Sequence, residues 1–172
     1  MSNFGAIYIY LPENSEKAFD EVNEILKNNG WLFTLRYHKS LPWAQAWTDE
    51  PENIPNYIKS IAELFPETRI IGIACQSVMD AIGYWDIVKG EEQRVLEYGF
   101  FKERVWEKAE GKPQDWEQEI FQGRDGYKKG ENYTIGHFEP FFNNFDVHKI
   151  GQLLELPGFG TSGHDGKWTK EI

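Results

Sequence analysis

An α+β fold built on a mostly antiparallel sheet is predicted by three features of this 172-residue sequence. First, side chains alternate in three consecutive stretches: Ile71, Ile73 and Cys75 within 69–77, Tyr84 and Asp86 against Trp85 and Ile87 within 82–88, and Leu96, Tyr98 and Phe100 against Val95 and Glu97 within 93–101. Period-two patterning of β-branched and aromatic residues predicts strands. Second, Lys89-Gly90-Glu91-Glu92 is a polar break of hairpin length between the last two. Third, two apolar stripes at helical spacing occur upstream, each bounded by strand-like runs.

The elements in order are as follows. Residues 6–11 alternate Ile7, Ile9 and Leu11 with Ala6, Tyr8 and Tyr10; both faces are apolar, which predicts a central strand. Ser15 is a capping residue for a helix to about Asn28, striped by Phe19, Val22 and Leu26 and ended near Gly30. A strand is predicted over 31–38. A short edge strand follows over 43–48, introduced by Pro42. Asn53 is the expected cap of a second helix striped by Ile54, Ile58, Ile61 and Phe65 and stopped by Pro66. Strand, helix, strand, strand, helix, strand is the ferredoxin-like βαββαβ order, here extended by a further β-hairpin, with the helices packed on one face of the sheet.

Beyond residue 101 the patterning weakens. Residues 102–110 fit a continued strand or a helix, with Val105 and Trp106 as anchors. Pro113 opens a short helix carrying Trp116, Ile120 and Phe121. Residues 123–132 read as a loop. A last helix is expected from Asp146 as cap to Leu156, with Phe145 and Ile150 at staple spacing. Residues 159–172 read as a glycine-rich surface tail anchored by Trp168. The chain is therefore expected to form a single domain, with 1–110 supplying the sheet and two helices and 111–172 an irregular and helical C-terminal region.

Composition bounds the function. The formal net charge is -10, with Lys+Arg 18 against Asp+Glu 28. Such a surface repels polyanions, so nucleic acid and anionic membranes are not the expected partners. A protein with a basic surface would be attracted and steered. One cysteine, Cys75, excludes an intrachain disulfide and fits a reducing cytoplasm. Residues 1–8 have no basic region followed by an apolar run, so no signal peptide is expected, and no stretch has the ~20 apolar residues of a membrane helix.

Catalytic motifs are incomplete. Gly158–Gly163 has the letters G-x-G-x-x-G but follows a helix instead of a strand, so it is expected to be a loop. His137-Phe138-Glu139-Pro140 shares letters with the zinc deaminase signature, which also needs a downstream Cys-x-x-Cys that this sequence lacks. His137, His148 and His164 lack metal-ligand spacing, and neither a metal nor a cofactor is expected. Cys75 lies in an apolar strand pattern and is expected to be a small buried hydrophobe.

Two readings of function remain. The first is an acidic, soluble, non-enzymatic interaction module, neutralising or regulatory towards a basic partner, with Trp43 and Trp47 as candidate contact residues because large rings dominate binding hot spots. The second is a small-molecule binder or enzyme with His137, Glu139, His148 and Asp86 in an aromatic-lined cleft. Asp86 is expected on the solvent side of its strand; a core-facing Asp86 would mark a carboxylate with a function, because burial disfavours its charge.

Overall fold

In the computed structural model, residues 3–76, 81–99, 104–159 and 168–172 are described. The strands are β1 (Asn3–Tyr10), β2 (Thr34–Tyr37), β3 (Trp43–Thr48), β4 (Arg69–Gln76), β5 (Ala81–Val88), β6 (Glu91–Tyr98), β7 (Trp106–Gly111) and β8 (Lys170–Glu171). The helices are α1 (Glu16–Asn28), α2 (Ile54–Leu64), α3 (Asp115–Phe121) and α4 (Asn144–Leu153). The strands form one antiparallel sheet in the order β7-β6-β5-β4-β1-β3-β2-β8. Helix α1 joins β1 to β2 across β3, and α2 joins β3 to β4 across β1, so the first half is two interleaved split βαβ units. The hairpin β5–β6 extends the sheet beyond β4, as the alternation predicts.

Alternation along the strands sorts the core into two layers. Ile7, Ile9, Ile70, Trp85 and Val95 face α1 and α2, meeting Phe19, Leu26, Ile58 and Ile61. Helix α2 lies close to β4 because Gly72 has no side chain: a Cβ there would meet Ile58 Cδ1 at 2.8 Å. On the opposite face Tyr8, Ile71, Ile73, Tyr84, Leu96 and Tyr98 pack against Trp116, Phe121, Val147 and Ile150. The helices of the first half thus share one face, and the C-terminal region covers the other. Strand-borne apolar residues on both faces demand this, since either face left wet would expose a large apolar area.

Several local expectations are corrected. Strand β3 is interior, flanked by β1 and β2, because the hairpin with β2 covers the side that Pro42 seemed to leave open. Helix α2 is entered through a 3-10 turn, Pro51–Asn53, and the Asn53 side chain donates to Glu50 instead of capping. The cap of α4 is Asn143: its Oδ1 accepts from the Phe145 N–H at 2.9 Å, and Asp146 Oδ2 accepts from the Asn143 N–H at 2.9 Å. With that register the staple positions belong to Phe142 and Val147, both buried in one cluster, while Phe145 is 86% exposed. Residues 106–111 resolve as the strand β7 on β6. The end of the tail is tied down: β8 pairs with β2, and Lys170 binds Asp20 and Glu16 on α1. Phe100, His164 and the end of the glycine string at 160–163 lie outside the described residues.

Candidate functional site

Three arginine–carboxylate pairs order the second face of the sheet and the layer on it, and one of them, Arg94–Glu117, joins the two. On the layer's face the sheet register sets Asp86 of β5 opposite Arg94 of β6. Arg94 is fully buried; its Nε and Nη2 donate to the Glu117 carboxylate at 2.8 and 2.7 Å, and Nη1 donates to Asn132 Oδ1 and to the carbonyls of Glu110 and Gly111. Tyr133 donates its hydroxyl to Glu117, and its ring lies under the Arg94 guanidinium. Asp86 is 2% exposed and accepts from Arg69 Nε and Nη2 at 2.9 and 2.8 Å and from Gln114 Nε2 at 2.6 Å. Asp86 therefore faces the core, contrary to its expected solvent position: a fork of donors replaces the water it has lost. Arg124 closes the third pair, bidentate to Asp146 at 2.7 Å through both terminal nitrogens.

Beside this third pair a cleft of about 520 Å³ opens between two loops. One loop brings Arg124 and Asp125; the other brings Phe138, Glu139 and Phe141. The second loop is held from beneath. The carbonyl oxygens of His137, Phe138, Pro140 and Phe141 accept from the Trp106 N–H, the Tyr98 hydroxyl, the Trp106 indole N–H and the Arg124 guanidinium. With its backbone bound inward, the loop presents its side chains outward. The rings of Phe138 and Phe141 are stacked at 5.2 Å and 15°, and Phe138 is 48% exposed. Gly126 lets the loops approach, since a Cβ there would meet Glu139 Cβ at 2.7 Å.

Charge in the cleft is unbalanced. Asp146 neutralises Arg124, while Asp125 and Glu139 are exposed and have no ion-pair partner among the described residues. Two free carboxylates beside a stacked aromatic pair make a receptor for a cation, by Coulomb attraction and by the negative faces of the rings.

Of the residues nominated from sequence, Glu139 lines this cleft. His137 is exposed on the same loop but does not line it. His148 sits on the exposed side of α4 with its ring edge-on to Phe159 at 5.7 Å, and Asp86 belongs to the Arg69 cluster. The four are not gathered into one site. Among the described residues no group of three His, Cys, Asp or Glu side chains is arranged to hold a metal ion. Trp43, a candidate contact residue, is 4% exposed and packs edge-on against Tyr10, so its ring is taken up by the core. Trp47 is half-buried with the Arg36 guanidinium 5.4 Å from its ring centre. Cys75 is buried, as its apolar strand pattern predicts, and its thiol donates to Asn144 Oδ1.

Comparison with family models, with curated proteins and with solved structures returns no match. No helix among the described residues is long and apolar enough to cross a membrane.

The buried polar layer has a consequence in alkali. Burial pushes the phenols of Tyr8, Tyr84 and Tyr133 above their ordinary range; the negative charge of Asp86 adds to this at Tyr84 and that of Glu117 at Tyr133. A raised native value means that the folded chain holds protons the unfolded chain releases above about pH 10. The stabilisation is complete below that pH and is lost as pH rises through the native values. Phenolate absorbance during alkaline titration should show these three tyrosines silent until the chain unfolds. Reversible ionisation of all eight tyrosines at the ordinary pH, with the fold intact, would contradict the packing described here.

Proposed function

We propose that this protein is a non-enzymatic interaction module that grips a basic segment of a protein partner in the cleft between Asp125 and Phe138. The observation that carries this reading is the exposed Phe138–Phe141 stack set beside two unpaired carboxylates. A lysine or arginine side chain has both halves of the complement: an apolar stem for the rings and a cationic end for Asp125 and Glu139. The net charge of -10 supports the same partner by steering it over longer distances. Anchoring of the loop at four carbonyls supports it too, because less ordering has to be done on binding.

The test is the binding of a fluorescent oligolysine peptide, followed by anisotropy at increasing salt. The wild type binds and weakens with salt. Glu139→Lys and Phe138→Ala each weaken binding several-fold, whereas Glu24→Lys, an equal charge change on exposed α1, leaves it nearly unaltered. If Glu24→Lys is as damaging as Glu139→Lys, attraction is a property of bulk charge and the cleft has no part in it.

A further inference from the structure

A second cleft, of about 540 Å³, lies where the start of β4 meets the turn between β7 and α3 and the end of α4. Its chemistry differs from the first. A chain of hydrogen bonds forms one wall: Arg69 is clamped by Asp86, Gln114 donates to the same carboxylate, and Gln114 Oε1 accepts from the Tyr84 hydroxyl at 3.0 Å and the Trp116 indole at 2.6 Å. Arg69 has five donors and Asp86 engages two of them. The Tyr84 hydroxyl also lies against the guanidinium, and the Arg69 side chain is still 36% exposed where it lines the cleft. Lys112, exposed and without an ion pair among the described residues, lines it as well.

Two available cations at one cleft are unexpected on a chain of net charge -10. Around them Pro113, Trp116, Leu153 and Leu154 supply apolar surface beside the amides of Gln93 and Gln114. Asp115 is the single acid of the lining and disfavours a doubly charged guest more than a singly charged one.

We infer that this cleft binds a small organic carboxylate with an apolar body. The carboxylate pairs with the solvent-exposed part of Arg69 and with Lys112, and the body lies on Trp116 and Leu153. A planar fork suits a carboxylate, and its clamp on Asp86 and Gln114 removes much of the ordering cost before the ligand arrives. This site is independent of the basic-partner cleft, which lies between other loops.

Benzoate is the probe, with benzamide and inorganic phosphate for comparison. Benzoate is expected to raise the melting temperature in a dose-dependent way and to shift the Trp116 indole N–H resonance, assigned by its loss in Trp116→Phe. Benzamide and phosphate are expected to do neither. Lys112→Glu changes an exposed residue and keeps the fold; it should weaken benzoate on the order of tenfold, whereas Glu139→Lys leaves benzoate binding unchanged. Arg69→Ala is not used, because it strands Asp86 in the core. A silent Trp116 resonance at millimolar benzoate overturns the proposal. So does an equal response to benzamide, which would make the cleft merely apolar, or to phosphate, which would make it a general anion site. Undiminished binding by Lys112→Glu overturns it as well.

Discussion

Arg94→Met should lower the free energy of unfolding by about 3–5 kcal/mol, the usual cost of breaking a buried ion pair from one side. The guanidinium is fully buried and spends its donors on Glu117, Asn132 and two backbone carbonyls. Methionine matches much of its length but leaves the Glu117 carboxylate buried with only Tyr133 and the Gln114 N–H for support. Arg94→Lys should also be costly, since one ammonium cannot serve a bidentate carboxylate and two carbonyls together. The pairing claim is tested by a cycle. Arg94→Met, Glu117→Met with Tyr133→Phe, and all three together are unfolded in urea. The combined variant should be more stable than the sum of the separate losses allows, because it removes the charges as a set. Strict additivity would mean that these residues are not energetically coupled.

Trp106→Ala should cost a comparable amount, about 3–5 kcal/mol, through the cavity left by a fully buried indole. Its ring stacks on Tyr133 at 4.1 Å and on Phe142 at 5.5 Å, and Tyr98 meets it edge-on at 5.2 Å. Trp106→Phe should cost less but has a sharper functional effect. It keeps the two backbone bonds to Gly136 and His137 and loses the indole bond to the Pro140 carbonyl at 3.0 Å. That carbonyl is one of the four holding the Phe138–Phe141 loop. Phenylalanine at 106 should therefore weaken oligolysine binding while the protein stays folded, and the Gly136 amide should exchange with solvent faster. Unchanged affinity with Trp106→Phe would show that the loop needs no anchor there.

Legibility in the sequence followed periodicity. Alternation alone puts Ile71, Ile73 and Cys75 on one face of their strand and Leu96 and Tyr98 on one face of theirs, and all five are buried in one layer. Ser15 was read as the cap of α1, and its Oγ accepts from the Ala18 N–H at 3.1 Å. The cap of α4 lies three residues before the Asp146 that the sequence predicts, because Asn143 and Asp146 are both good caps and the choice falls to the tertiary pocket that buries Phe142. Trp43 and Trp47 stand out in sequence as candidate contact residues because a ring-rich strand looks the same whether its neighbour is solvent or another strand. Of the cleft, only Glu139 is legible in the sequence as a candidate; Phe138, Phe141 and Asp125 carry no regular spacing that marks them. Arg94 had one overlooked signal: it shares the inward alternation of Leu96 and Tyr98, a position where a cation implies a buried partner.

The amino-acid order alone determined the succession of strands and helices, which side chains share a face, and the negative character of the exterior. These depend on backbone geometry and on counting charges, and both are local. Only the tertiary structure decided which carboxylate each arginine takes, that the C-terminal region closes the second face of the sheet, and that two clefts of opposite electrostatic character result. Such choices join residues far apart in the chain, as Arg69 and Asp86 or Arg124 and Asp146 are, and rest on how much water each charge gives up.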